Sequence, residues 1–145
     1  HNDARRQRQM CIRDRPYWAL YPPASFYQAE FEYITGLQFP ASGRFIHTEA
    51  TFPDHFGDYS SCALFEVAQE DYETLYEILA HRSSSSVGAT SVEATGCDTQ
   101  QLDDILRGQT FAVTWADQDR HRSDETMDCS LVADAPLVVI SYNSW

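Results

Sequence analysis

The chain has 145 residues, with ten arginines and no lysine set against 22 acidic residues; its formal charge is −12, and 43% of it is hydrophobic. That is enough apolar material for one domain with a sizeable core, which excludes a chain disordered throughout. So few cations cannot neutralise a run of phosphates, so nucleic acid and anionic membrane surfaces are excluded as natural partners, and no apolar run approaches the ~20 residues of a bilayer-spanning helix.

Five of the ten arginines crowd the first fifteen residues. The stretch Arg5-Arg6-Gln7-Arg8-Gln9-Met10-Cys11-Ile12-Arg13-Asp14-Arg15 resembles, codon by codon, the conceptual translation of a transposase-type sequencing adapter, and His1 to Ala4 are similar to the primer end and sample index that precede it. The resemblance implies a non-native, disordered segment at 1–15 in front of a metagenomic reading frame. It also implies a single native domain at 16–145 whose own N-terminus is cut away. The alternative is a basic arm of the nucleic-acid-binding kind. Without that segment, Arg44, Arg82, Arg107, Arg120 and Arg122 face twenty acidic residues, a charge of −15. Such a surface suits high ionic strength, where self-repulsion is screened, although a GC-rich genome that favours Arg over Lys would produce the same absence of lysine.

Setting Cys11 aside leaves Cys62, Cys97 and Cys129. An odd number forbids a complete internal framework. Cys97 and Cys129 flank elements where a staple would close a loop, so a Cys97–Cys129 disulfide is expected, with Cys62 a buried thiol. Free thiols in a cytosolic protein are the alternative. No Cys-x-x-Cys occurs, which leaves zinc and thioredoxin-type chemistry without support.

Pro16 to Pro23, rich in Tyr, Trp and Pro, reads as an extended lead-in. Phe26 to Ile34 alternates Tyr27, Ala29, Phe31 and Tyr33 against Gln28, Glu30 and Glu32, the pattern of a half-buried strand. Gly36 and Pro40 punctuate a loop, and Gly43 to Phe52 reads as a strand with Phe45, His47 and Glu49 on one face. After the turn Pro53 to Asp58 comes Ser60 to Val67, apolar on both faces and therefore central. Gln69 to Ala80 has Tyr72, Leu75, Tyr76, Ile78 and Leu79 at helical spacing behind an acidic first turn. Ser83 to Gly88 is a flexible link, and Thr90 to Thr95 suits a short strand. Asp98 as N-cap, Gln101, the stripe Leu102, Ile105, Leu106 and the terminating Gly108 mark a second, shorter helix. Thr110 to Trp115 is a strand, Ala116 to Glu125 a charged loop, and Met127 to Val132 with Leu137 to Tyr142 a closing antiparallel pair. The order predicts an α+β fold: an antiparallel sheet with two helices packed on one face.

The densest polar group is His47, Glu49, Asp54, His55 and Asp58. His47 and Glu49 share a strand face, and the following turn can fold the others toward them as nitrogen and oxygen ligands for a divalent metal. The competing reading is a solvated sheet face and a turn whose aspartates cap their own backbone. Asp117, Asp119, His121, Asp124, Glu125 and Asp128 form a second cluster, but it lacks the glycine and terminal glutamate of a calcium loop and reads as a solvated hairpin loop. Ser60, Ser61 or Cys62 beside His47 or His55 lacks a nucleophile elbow. No Gly-x-Gly-x-x-Gly or P-loop occurs, so no nucleotide cofactor is expected. Tyr17, Trp18, Tyr21, Tyr27 and Tyr33 suit either a binding surface or, as aromatic residues on strands commonly do, the core.

Phe39-Pro40, Gly57-Asp58-Tyr59-Ser60-Ser61 and Glu70-Asp71-Tyr72, within Thr35 to Leu75, resemble segments of small bacterial cell-envelope or lipoprotein domains of uncharacterised role. The likeness covers under half of the chain and implies no activity. It points to a non-enzymatic, secreted or envelope-associated accessory domain that binds a protein or small ligand through an acidic face. The alternatives are a metal-dependent or hydrolytic enzyme fragment using His47 and His55, and a cytosolic immunity-type protein that neutralises a basic partner.

Overall fold

The structure, a computed structural model, describes residues 22–51, 59–82, 100–106, 108–116 and 125–144. Helix α1 (Ala24–Thr35) leads into strands β1 (Arg44–Ala50) and β2 (Ser60–Glu66), helix α2 (Gln69–Arg82) and a short helix α3 (Gln100–Ile105). Strands β3 (Phe111–Ala116), β4 (Glu125–Val132) and β5 (Leu137–Ser144) follow. The five strands make one antiparallel sheet in the order β1-β2-β5-β4-β3.

The sheet's period-two alternation divides its side chains between two apolar layers. Ala63 and Phe65 of β2, Val138 and Ile140 of β5 and Cys129 and Leu131 of β4 pack against Phe31 and Ile34 of α1 and Leu75 and Leu79 of α2. The fold is therefore α+β, with an antiparallel sheet and two helices on one face. On the reverse face Cys62, Leu64, Val132 and Val139 meet Leu102 and Leu106 from α3 and its C-terminal turn. β2 is central as its two-sided apolar character requires, with Cys62, Ala63, Leu64 and Phe65 all buried.

The segment expected as the first strand is instead α1, and this changes which helices pair on the main face. Phe26, Tyr27, Glu30, Phe31, Tyr33, Ile34 and Thr35 are its buried positions, a spacing of three to four that a helix satisfies as well as the alternation suits a strand. What obscured the helix is Glu30, a carboxylate with no exposed surface in the middle of the apolar stripe. Pro23 stands at the N-cap, and Gly36 closes the helix at φ 70°, its N–H donating to Glu32 O at 2.8 Å. Only glycine holds that left-handed cap without a Cβ penalty.

α2 follows its charge pattern, with Glu70 and Asp71 in the first turn and His81 and Arg82 in the last. Arg82 reaches further: its Nη1 donates to Thr35 O at 2.6 Å and its guanidinium lies 5.5 Å from the Trp115 ring centroid. One cation thus ties the end of α1 to β3. At the other end Ser42 hydrogen-bonds Asp71 and accepts from Ala68 N at 2.9 Å, anchoring the start of α2 beside the start of β1.

Phe39 stacks on Phe45 at 5.3 Å, and both reach Phe65. Gly43 leaves room for this, since a Cβ there would stand 2.5 Å from the Phe39 ring. β1 is one edge of the sheet, and a register shift between Phe45 and His47 marks a bulge in it. The bulge moves Phe45 to the helix-covered face, so Phe45 does not share a face with His47 and Glu49 as a regular strand would require.

Candidate functional site

Of the five residues proposed as metal ligands, the structure brings two together. His47 lies opposite Leu64 and Glu49 opposite Cys62, and His47 Nε2 is 2.9 Å from Glu49 Oε2. Asp54, His55 and Asp58 lie outside the described residues. Among the described residues no group of three or more His, Cys, Asp or Glu could hold a metal ion.

The cysteines depart from expectation. Cys129 is a free, fully buried thiol on the helix-covered face, so the Cys97–Cys129 disulfide does not form. Burial, with the nearby Asp128 charge second, pushes this thiol well above its ordinary range. Its position in β4, inside the apolar layer, explains both facts. Cys62, expected as a free buried thiol, is disulfide-bonded. Cys97 lies outside the described residues.

Two polar devices went unrecognised in the sequence. Beneath α1, Tyr59 donates to Glu30 Oε1 at 2.6 Å, while Tyr33 and Tyr142 donate to the two oxygens of Glu125 at 3.1 and 2.8 Å. The rings of Tyr59 and Tyr142 lie 5.0 Å apart, joining the two groups. Each carboxylate receives a phenol hydroxyl, the pairing that burial in a low dielectric demands. Tyr27, beside this cluster, has its hydroxyl pushed up to about 12, mainly by burial, against a hydrogen bond with Thr48 and with help from the charges of Glu30 and Glu49.

The second device lies on the reverse face, where Asp128 sits across from Ser141. Its Oδ1 is closed off from solvent and accepts no hydrogen bond. Burial pushes its carboxyl up to about 7, the hydrogen bond with Ser141 pulling the other way. Glu125 and Asp128 were read as members of one solvated loop, but both belong to β4 and, an odd number of residues apart, project to opposite faces.

The most accessible charged feature is on α2. Glu70, Glu73 and Glu77 are exposed and spaced three and four apart, so they form one stripe along the helix. Tyr76, 36% exposed, lies next to it. The stripe begins near β1, where Glu66 pairs with Arg44 and Asp71 with Ser42. This arrangement can present carboxylates and a phenol to a cationic surface, but it holds no nucleophile with an adjacent base. No family model matches the chain, nor does any curated protein or solved structure.

Proposed function

We propose that this chain is a non-enzymatic accessory domain, secreted or attached to a cell envelope, that binds a protein or small ligand through an acidic face. The observation that carries this reading is the solvent side of α2, where Glu70, Glu73 and Glu77 stand in line in a chain without lysine. On the resemblance of residues 1–15 to a translated adapter, the arginines of that segment do not belong to the binding unit, and the acidic excess of the domain is the larger value of −15. Carboxylates exposed in a row contribute little to stability but steer a basic partner and set the register of the encounter.

The enzyme reading has His47 and Glu49 in contact, but no third ligand joins them among the described residues.

Stopped-flow association with deca-arginine tests the proposal. The variant Glu70→Gln/Glu73→Gln/Glu77→Gln should associate roughly tenfold more slowly than the parent at low salt, the difference closing at high salt. Equal rates for parent and variant would remove α2 as the binding face.

A further inference from the structure

Among the described residues β1 is an edge strand whose start lies close to the acidic stripe. Thr51 N–H donates to Ser60 O at 2.8 Å. In the alternation of an antiparallel pair, with Ala50 opposite Ser61 and Glu49 opposite Cys62, the N–H and C=O of Glu49 and His47 then face β2. Those of Thr48 and Ala50 point away from the sheet. Thr48 is exposed, and Ile46, beside the bulge, is 45% exposed.

Natural edges of this kind are blunted by bulges and inward charges. Here the bulge lies only at the Arg44 end, between Phe45 and His47, and the run from His47 to Ala50 keeps a regular register with β2. Carboxylates gather beyond the Arg44 end of the run, where Ser42 holds the start of α2 with Glu70 and Asp71 beside Glu66, while Glu49 lies within the run in contact with His47. Arg44 is the cation among them, and it is paired with Glu66.

We infer that the β1 edge is a strand-addition site for an extended, basic segment of a protein partner. Backbone bonds to Thr48 and Ala50 supply the docking, as in β-augmentation generally, and the neighbouring carboxylates select the charge. This rests on the acidic-face reading above and adds the partner's conformation and place of contact.

The experiment uses the full chain and two nine-residue peptides, one alternating valine with arginine and the other valine with glutamate. Amide hydrogen exchange is followed residue by residue. The arginine peptide should slow exchange at Thr48 and Ala50 by about tenfold or more, and the glutamate peptide should not. Ala50→Pro removes an outward N–H at an edge position that tolerates proline, and it should weaken binding of the arginine peptide by about tenfold. Exchange in the parent chain decides the matter even if that variant fails to fold. Binding of the arginine peptide with protection confined to α2 would overturn the β1 site and leave the acidic-face reading standing. Equal protection by both peptides would overturn the charge selection, and no binding of either would overturn both.

Discussion

At the residue scale, Asp128 and Glu30 show how differently two buried carboxyls behave. Glu30, with no exposed surface, is satisfied by Tyr59. Tyr59→Phe removes that donor while keeping the ring, and should cost about 1–3 kcal/mol in chemical denaturation. Asp128 has an oxygen with nothing to accept from, and burial raises its carboxyl to about 7. The folded state therefore holds a proton that the unfolded chain has released. The resulting stabilisation is complete below pH ~4 and is lost as pH rises toward 7. Thermal melts between pH 4 and 8 should show this decline, and Asp128→Asn should flatten it and gain roughly 1–3 kcal/mol above pH 7. Cys129, buried and held as a thiol, should resist alkylation in the native protein and react on unfolding.

At the scale of elements, α2 and β2 were legible because one period dominates each: helical spacing of Tyr72, Leu75 and Leu79 in the first, apolar character on both faces in the second. α1 was not, since Tyr27, Phe31 and Tyr33 fit a two-residue period and a helical one alike, and the buried Glu30 sits where a helix reading needs an apolar residue. Pro23 and Gly36 were the signals that favoured the helix. Gly36→Ala, which forces a Cβ into φ 70°, should destabilise the domain by about 1 kcal/mol and leave the sheet intact, as measured by denaturation and by circular dichroism. The bulge in β1 was equally hidden, because one extra residue leaves no compositional trace.

For the whole molecule, the order of the periodic segments identified the fold class and composition the acidic character, both of which depend on many residues together. It said little about the site, because a site depends on which few side chains meet. His47 and Glu49 meet because residues two apart on a regular strand share a face. Tyr33, Tyr142 and Glu125 meet only through the crossing of α1 over β4 and β5, which no local pattern announces. The expected Cys97–Cys129 pairing failed for the same reason: strand register turns Cys129 into the helix-covered apolar layer, where it stays a free thiol.

Amide chemical shifts of the isotope-labelled domain, followed as deca-arginine is added at low and then high salt, test most directly whether the acidic side of α2 is the binding face. The largest changes should fall on Glu70, Glu73, Tyr76 and Glu77 and fade as salt screens the charges. Changes centred on α3 and the reverse face of the sheet, or changes indifferent to salt, would contradict it.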